Sequence, residues 1–334
     1  MEIDRDRARE VAAAAFRDHG IRECDAVTTA EMLVTAEARG KSSHGLIRLP
    51  RYLRGVEHGN VDPEGSIEIA TDAGAASTID GGARLGPAVA QHAIAEAIER
   101  AEEYGVGLVG VRNSTHLGML GYYTNEIREA GYVGIAMTNT EPAMPPHGGA
   151  EPVLGTNPIA IGLPTDPPFN LDMSTSAIAR GSINEAAEQG EEIPEGIALD
   201  ARGQPTTDPE AALDGTILPF GGPKGSGLAI AVEVLAGGLV GAAMGEDVTG
   251  TYHTEEPCTK GDLFVVIDPD ATAGGSFESE TNAFLASLKR IERAVDVDEI
   301  RLPGERSVRE ERTETIEVGS DLWEEALELA GETR

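Results

Sequence analysis

The chain has 334 residues, with 26 Lys and Arg against 58 Asp and Glu, so its formal net charge is −32. This negative charge excludes nucleic acid and anionic membranes as expected partners, because both would repel it. A hydrophobic content of 40% is enough for a folded core, which excludes an acidic disordered protein.

The acidic residues are spread along the whole chain, and only four of the 26 basic residues are lysines. This pattern indicates adaptation to high intracellular salt, where the Debye length is about 3 Å at molar concentration and repulsion between carboxylates is screened.

The charged, helical N-terminus is unlike a signal peptide. Glu233 interrupts the apolar run 228–244, which favours a buried helix over a membrane span. We therefore expect a cytoplasmic protein.

The spacing of apolar residues predicts helices at both ends of the chain and strands in its middle. The elements, in chain order, are helices over 4–19 and 26–39, a short helix within 41–63, strands within 66–80, a helix over 86–104, a strand over 106–112, a helix over 117–130, strands over 132–138 and 159–163, a helix over 225–244, a strand over 263–267, and helices over 277–294 and 320–331. This order predicts a central α/β domain, residues 73–274, and a helical domain formed by residues 1–72 together with 275–334.

Several common site motifs are absent from the sequence. No G-x-G-x-x-G opens a βαβ unit, so an ordinary Rossmann fingerprint is excluded. The string GGPKGSG at 221–227 is not a P-loop, because its lysine precedes the last two glycines. There is no G-x-S-x-G elbow. The two cysteines, Cys24 and Cys258, are too few for a metal cluster, and no metal is expected.

A first polar cluster is SSHGLIR at 42–48. If a helix begins near Gly45, His44 and Arg48 lie four residues apart on one face. An arginine there can hold a carboxylate through two hydrogen bonds while the histidine exchanges a proton with a neighbouring hydroxyl. The alternative is a serine-capped helix with a surface arginine.

A second cluster is NSTHLGMLGYY at 113–123, between a predicted strand and a predicted helix. Such a turn presents free N–H groups and the positive end of a helix dipole, which suit a pyrophosphate. His116 stands at the mouth of the turn. The alternative is a helix cap made by Ser114 or Thr115, with the histidine merely exposed.

Further polar turns contain Asn, Thr, Ser, Gly or Pro beside apolar segments. They are TNTEP at 138–142, GTNP at 155–158, LDMSTS at 171–176 and GGPKGSG at 221–227. Turns of this kind are common binding loops and are also common plain turns. Lys224 is the informative residue, because one of only four lysines is set among four glycines, which suits a phosphate ligand.

Taken together, these motifs resemble the malate/L-lactate dehydrogenase family, whose nicotinamide-binding domain is not a Rossmann fold. The resemblance runs from about residue 3 to 310 and is carried by SHGLIRLPRYL (43–53), GVRNSTHLGMLGYY (110–123), GGAEPVLGTNPIAIGLP (148–164), LDMSTS (171–176), PTTDP (205–209), GPKGSGLAI (222–230) and LPGER (302–306). It implies a central, mostly antiparallel sheet domain that binds NAD or NADP, a helical substrate and dimerisation domain, and a homodimer or an assembly of dimers. The implied substrate is a small 2-oxo or 2-hydroxy acid.

The resemblance also implies roles for individual residues. His44 and His116 are the acid/base candidates, Ser43 orients His44, and Arg48 and Thr140 contact the substrate. The implied cofactor contacts are His116, Leu117, Gly118, Met119, Leu120, Thr140, Asp172, Met173, Ser174, Lys224, Pro303, Gly304, Glu305 and Arg306. His44 is preferred as the proton donor because it lies beside Arg48, with His116 holding the nicotinamide or sharing the proton.

Oxidation of a 2-hydroxy acid needs a cation for the carboxylate, a base for the hydroxyl proton and a held nicotinamide. Arg48, an imidazole and the glycine-rich turns with Lys224 supply these three. Two segments depart from the family: Ser182 stands where imine-reducing members carry a carboxylate, and the loop 251–261 matches poorly. Ureidoglycolate-type and sulfolactate-type dehydrogenases, a cyclic-imine reductase and a phosphate-ligand binding protein without turnover remain alternatives.

Overall fold

The computed structural model describes residues 1–310 and 313–332. Its helices are α1 (Arg5–Asp18), α2 (Glu23–Ala38), α3 (Leu49–Glu57), α4 (Gly86–Tyr104), α5 (Leu120–Glu129), α6 (Arg180–Gln189), α7 (Pro209–Leu213), α8 (Pro223–Val232), α9 (Pro269–Ala273), α10 (Phe277–Leu288), α11 (Glu305–Glu310) and α12 (Ser320–Leu329). Its strands are β1 (Glu2–Asp4), β2 (Glu68–Asp72), β3 (Ala76–Asp80), β4 (Val106–Arg112), β5 (Val133–Thr138), β6 (Ile159–Leu163), β7 (Phe169–Met173), β8 (Ala198–Leu199), β9 (Thr216–Ile217), β10 (Asp262–Ile267) and β11 (Thr315–Glu317).

A seven-stranded sheet lies at the centre of the described chain, in the order β2-β3-β4-β10-β5-β6-β7. Only β3 and β4 run parallel to each other, and every other pair of neighbours is antiparallel. The parallel pair is joined by α4, because parallel strands need a crossover connection. The predicted α/β fold with a mostly antiparallel central sheet is therefore confirmed.

Helix α4 packs closely on β4 because the facing residues are small. Pro87 stands in its first turn, and Gly105, with φ of 81°, ends it, as helix starts and ends favour. A Cβ atom at Gly107 would lie 2.0 Å from the carbonyl oxygen of Ala97, so only glycine permits this approach. Both elements have the bounds predicted from the sequence.

Both ends of the chain meet in a helical layer beside the sheet. Strand β1 pairs with β11, and α12 packs on α1. The buried Trp323 belongs to the same apolar core as residues of α2, α4 and β4. Strand β2 pairs with β3, so the predicted boundary near residue 72 falls inside a hairpin. The division into two domains stays a prediction, and residues 311–312 and 333–334 lie outside the described part.

Four predicted elements differ in the structure. The helix predicted over 277–294 ends at Leu288. The helix predicted from about Gly45 begins at Leu49, because Gly45 is extended (φ −90°, ψ −147°) between the 3₁₀ turns Ser42–His44 and Leu46–Arg48. The helix predicted over 225–244 is α-helical only to Val232 and continues as a π-helical turn, Glu233–Gly237. The string LDMSTS, predicted as a turn, begins inside β7.

The π-helical turn coincides with a buried carboxylate. Glu233 accepts hydrogen bonds from Nδ2 of Asn139 at 2.9 Å, Nδ2 of Asn157 at 2.6 Å and the backbone nitrogen of Gly245 at 2.9 Å. Within the described residues, Pro223–Val240 is the one helical stretch long and apolar enough to cross a membrane, and 44% of it is buried. The expected buried helix is thus only partly confirmed, because Val234 and Leu239 are exposed.

Candidate active site

Two histidines that are far apart in sequence stack on each other. The ring centroids of His44 and His116 lie 5.6 Å apart, and their planes differ by 9°. His44 belongs to the turns between α2 and α3, whereas His116 follows β4. The first two polar clusters of the sequence therefore meet at one place.

The carboxylate of the buried Glu37 stabilises the turn that carries His44. Glu37 accepts hydrogen bonds from Oγ of Ser42 at 2.7 Å and from the backbone nitrogen of Leu46 at 3.0 Å. Burial raises the pKa of Glu37. A Cβ atom at Gly45 would come within 2.4 Å of the Glu37 carboxylate, so the turn packs this closely only because residue 45 is glycine.

Arg48 folds back over the same turn. Its Nε donates a hydrogen bond to the carbonyl oxygen of Ser43 at 2.7 Å. Ser43 thus contributes its backbone, and its side chain is exposed. Within the described residues, Nδ1 of His44 is buried without a hydrogen-bond partner, so no hydroxyl orients it. Burial, together with the nearby charges of Arg48 and Lys41, lowers the pKa of His44 to about 3.

His116, in contrast, is well connected through Nδ1. The backbone nitrogen of Gly118 donates to this atom at 3.1 Å, and Oη of Tyr52 lies 2.8 Å from it. Oη of Tyr52 also donates to the carbonyl oxygen of His116 at 3.2 Å. Nδ1 therefore has a partner in either tautomer of the ring. An unprotonated Nδ1 accepts from the backbone nitrogen of Gly118, and a protonated Nδ1 can donate to Oη of Tyr52. Burial and the nearby Arg48 lower the pKa of His116 well below 6.5.

An ion pair beneath the His116 turn anchors it to the sheet. Lys260 is 1% exposed, and its Nζ contacts both carboxylate oxygens of Asp262 at 2.6 Å. Oγ of Ser114 donates to the same carboxylate at 3.2 Å. The second cluster is therefore fixed from the sheet side, while His116 faces the opening.

A cleft of about 390 Å³, part of it open solvent, lies beside His116. Arg48, Arg51, Tyr52 and His116 line it, and the segment Gly250–Cys258 forms much of its remaining wall. Arg51 and Tyr52 are not among the site residues predicted from the sequence. The signal was present, since Tyr52 stands four residues after Arg48 and one turn along α3.

The turns predicted to hold a cofactor lie side by side. Oγ1 of Thr140 accepts a hydrogen bond from the backbone nitrogen of Thr156 at 3.0 Å, and Oγ1 of Thr175 donates to the carbonyl oxygen of Thr156 at 2.8 Å. The backbone nitrogen of Phe220 donates to the carbonyl oxygen of Thr175 at 3.0 Å. The structure thus connects Thr140, the segment with Ser174, and the loop before Lys224.

A second set of predicted cofactor residues gathers around β7. Asp172 accepts a hydrogen bond from the backbone nitrogen of Gly121 at 2.9 Å, at the start of α5. Asn170 donates through Nδ2 to the carbonyl oxygen of Gly121 at 2.7 Å, and its backbone nitrogen donates to the carbonyl oxygen of Pro303 at 2.9 Å. The loop that begins at Pro303 and Gly304 therefore lies beside β7 and the start of α5.

Several of these predicted contacts have side chains that are already engaged. Leu117, Met119 and Leu120 are buried in the main core, so only their backbone atoms can face a ligand. Glu305 is 6% exposed, pairs with Lys289 and accepts a hydrogen bond from the backbone nitrogen of Leu302 at 3.0 Å. Met173 and Ser174 are half-buried, and Arg306 is exposed.

Lys224 has the properties of a phosphate ligand. It is exposed in the first turn of α8, which contains no acidic residue. Lys260 and Lys289 pair with carboxylates, whereas within the described chain Lys224 pairs with none. A free cation at the positive end of a helix suits a phosphate group, and with the neighbouring hydroxyls of Thr140 and Ser174 this donor set fits a nicotinamide dinucleotide.

Known proteins are similar to this chain over nearly its whole length. The family model described as malate/L-lactate dehydrogenase matches residues 3–327. An L-sulfolactate dehydrogenase from Methanothermobacter thermautotrophicus is 44% identical over 308 residues, which cover 91% of this chain and 89% of that protein. The solved sulfolactate dehydrogenase of Methanocaldococcus jannaschii is 42% identical, with a TM-score of 0.95 over 99% of this chain and 97% of that one. Malate dehydrogenase from Pyrococcus horikoshii OT3 has a TM-score of 0.90 and 32% identity, over 99% of this chain and 95% of that one.

Proposed function

Since the chain belongs to the malate/L-lactate dehydrogenase family and is an oxidoreductase of CH–OH donors, we propose that its histidine pair and Arg48 interconvert a small 2-oxo acid and its 2-hydroxy acid. The observation that carries this proposal is the stacking of His44 on His116 next to a cleft lined by Arg48. An imidazole, that of His116, and a cation suited to a carboxylate thus line one opening, and His44 stacks on that imidazole.

Arg48 is the proposed partner of the substrate carboxylate. Its Nε donates a hydrogen bond to the carbonyl oxygen of Ser43. No carboxylate of the described residues forms an ion pair with the Arg48 guanidinium group. The flat guanidinium group can therefore offer its terminal nitrogens to a ligand carboxylate as two parallel hydrogen bonds. Arg48 lowers the pKa of both histidines, so a carboxylate bound there would offset part of its positive field.

His116 is the proposed group that exchanges a proton with the substrate oxygen. During oxidation, Nε2 accepts the hydroxyl proton while Nδ1–H donates to Oη of Tyr52, which in turn donates to the carbonyl oxygen of His116. During reduction, the same proton returns from Nε2 to the carbonyl oxygen of the substrate. His44 lacks a partner at Nδ1, so the hydrogen bonds favour His116 over the His44 preferred from the sequence.

NAD or NADP is the proposed cofactor. When bound, it carries the hydride that C2 of the substrate loses or gains. Lys224 and the start of α8 would hold its phosphates, and Thr140, Ser174 and the loop from Pro303 would contact the rest of the dinucleotide. These residues bind and orient, while His116 moves the proton.

The test is a panel of 2-oxo acids offered with NADH or NADPH in about molar KCl, the regime in which surface repulsion is screened. We expect reduction of at least one 2-oxo acid, measured by loss of the reduced nicotinamide absorbance. A cyclic imine carboxylate serves as the competing substrate, and Ser182 leaves the exposed start of α6 without the carboxylate that imine-reducing members carry there. Faster reduction of the imine, or cofactor binding with no turnover of any 2-oxo acid, would reject the proposal.

A further inference from the structure

Two irregular backbone features meet at the buried carboxylate of Glu233. The first is the π-helical turn Glu233–Gly237, which continues α8. The second is Asn157, a fully buried residue whose φ of 33° lies in the left-handed region that favours glycine. Both features are rare in proteins, and both are concentrated at functional sites. Their meeting on one side chain points to a role beyond packing.

Glu233 binds an asparagine from each of two neighbouring turns. Its Oε1 accepts hydrogen bonds from Nδ2 of Asn139 and from the backbone nitrogen of Gly245, both at 2.9 Å. Its Oε2 accepts one from Nδ2 of Asn157 at 2.6 Å. Glu233 is 5% exposed, and these three donors are neutral amide groups. Because a glutamine would replace one accepting oxygen by a donor, the arrangement requires a carboxylate.

Asn157 connects Glu233 to Thr140. Its Nδ2 also donates to the carbonyl oxygen of Ala229 on α8 at 3.0 Å, and its Oδ1 accepts from the backbone nitrogen of Thr140 at 3.2 Å. An amide group that is bonded at both ends cannot turn over without losing bonds at each end. A Cβ atom at Gly155 would overlap both Oγ1 of Thr140 and Oδ1 of Asn157, so the two side chains are also closely packed.

Asn139 fixes the same turn from its other side. Its Nδ2 also donates to the carbonyl oxygen of Ala243 at 2.9 Å, and its Oδ1 accepts from the backbone nitrogen of Gly261 at 2.8 Å, directly before β10. Thr140 follows Asn139 in the chain and is bonded through its own backbone nitrogen to Asn157. The two amides that Glu233 binds therefore restrict where the hydroxyl group of Thr140 lies.

We propose that Glu233 is a positioning residue for the dinucleotide, and that it holds Thr140 at a fixed place relative to Lys224. This inference rests on the proposed function, in which Thr140 and Lys224 both bind the cofactor. Lys224 stands in the first turn of α8, and Glu233 directly follows the last residue of that helix. The hydrogen bonds of Glu233 thus connect the helix with the phosphate ligand to the turn with Thr140. Contacts that are fixed before binding cost less to order when the ligand arrives.

The experiment is a double-substitution cycle on cofactor affinity. Dissociation constants for NADH and NADPH are measured by nicotinamide fluorescence, in about molar KCl, for wild type, Glu233→Gln, Thr140→Ala and the double variant. The matched control is Asp25→Asn, because Asp25 on α2 is also a carboxylate with 5% exposure and accepts two hydrogen bonds, from Arg84. Melting curves establish which variants are folded.

Glu233→Gln should raise the dissociation constant about tenfold, because the new amide N–H faces an asparagine donor and the Thr140 turn shifts. In the Thr140→Ala background the same substitution should raise it less than about twofold, since the group that Glu233 positions is gone. At saturating ligands, kcat of Glu233→Gln should stay within about threefold of wild type, because His116 is unchanged. Asp25→Asn should lower the melting temperature and leave the cofactor affinity unchanged.

Asn157→Gly tests the same connection from its other end. Glycine readily adopts the positive φ of this position, so the substitution removes the amide group without straining the backbone. It should weaken cofactor binding as Glu233→Gln does, again only while Thr140 is present. This variant replaces Glu233→Gln in the cycle if that protein does not fold.

Unchanged affinity in Glu233→Gln or in Thr140→Ala, or an equal effect of Glu233→Gln with and without Thr140, would overturn the inference and leave the proposed function intact. Loss of folding in both Glu233→Gln and Asn157→Gly would assign the cluster to stability alone and would also overturn it. Wild type that binds neither NADH nor NADPH would reject the proposed function and this inference together.

Discussion

The hydroxyl oxygen of Tyr52 lies 2.8 Å from Nδ1 of His116, across 64 residues of sequence. Tyr52 is buried on α3, and burial raises the pKa of its hydroxyl, so the group stays protonated and acts only through hydrogen bonds. Because the same hydroxyl also reaches the carbonyl oxygen of His116, it can accept from the ring while it donates to the backbone. Helix α3, which begins directly after the proposed carboxylate-binding Arg48, therefore also supports the proposed base.

Replacing Tyr52 by phenylalanine should lower kcat by about tenfold, the upper range for loss of one hydrogen bond. The ring is retained, so packing and substrate binding should change little. Steady-state kinetics with the best 2-oxo acid would measure this effect, with KM as the internal control. A kcat within twofold of wild type would show that Tyr52 has no influence on the proton transfer.

Replacing Gly45 by alanine should disturb the His44 turn, because the new Cβ would lie 2.4 Å from the carboxylate of Glu37. We expect a loss of about 1–3 kcal/mol in the free energy of unfolding, as for other overpacked sites, together with reduced kcat. Denaturant titration would measure the loss. Gly319→Ala is the matched control, since nothing lies within 4 Å of a Cβ at that position and its φ is −59°. Equal effects of the two substitutions would contradict the packing argument.

Much of the fold follows from the sequence, because long apolar periodicity dominates local structure. The bounds of α4 and β4 agree with the prediction at both ends, since proline and glycine mark the start and end of the helix. The π-helical turn at Glu233–Gly237 was missed, because it coincides with hydrogen bonds to Asn139, Asn157 and Gly245 that no local pattern displays. Pairing of β1 with β11 likewise joins the two ends of the chain and leaves no local signal.

The site was predictable where unusual residues stood in glycine-rich turns. His44, Arg48 and His116 were identified in this way, and the structure brings them together. Arg51 and Tyr52 were missed because, on a predicted helix, an arginine and a tyrosine are ordinary surface and core residues. Their importance depends on which elements pack against α3, here the loop with Tyr252 and the turn with His116. The sequence of α3 alone does not show these tertiary contacts.

The lowered pKa of His44 makes the stability of the protein dependent on pH. The pKa of His44 is about 3 in the folded protein, against about 6.5 in the unfolded chain, so between these values the unfolded state binds more protons. Stability contributed by neutral His44 is therefore present above about pH 6.5 and is lost as the pH falls through this window, by up to about 1.4 kcal/mol per pH unit.

The measurement is the free energy of unfolding between pH 7 and pH 4 for wild type and His44→Gln at constant salt. The wild type should lose stability more steeply on acidification, because glutamine does not titrate. Glu37, whose pKa is raised by burial, acts in the opposite direction and is present in both proteins, so it cancels in the comparison. Parallel pH curves for the two proteins would mean that His44 is not held neutral by the fold.

The charge of −32 predicts dependence on salt. In dilute buffer the distributed carboxylates repel one another, and at about molar KCl the Debye length shrinks to about 3 Å. The melting temperature and the activity should therefore rise between dilute buffer and molar KCl. A nonionic osmolyte at equal osmolarity is the control, because it cannot screen charge. An unchanged melting temperature across this range would reject adaptation to high salt.

Replacing each of the two histidines by glutamine should have different effects on the rate of the reaction. His116→Gln should lower the single-turnover rate of nicotinamide oxidation by about 10²–10⁴, the usual contribution of a positioned acid or base, while nucleotide affinity stays near that of wild type. His44→Gln should have a smaller effect on this rate, because Nδ1 of His44 has no partner among the described residues that would let it relay a proton. Stopped-flow absorbance gives the rate, and nucleotide titration gives the affinity. A large loss in His44→Gln with near-normal turnover in His116→Gln would transfer the acid/base role to His44, as the sequence had suggested. A loss below tenfold in both variants would make the stacked rings structural and would remove the acid/base role from this pair.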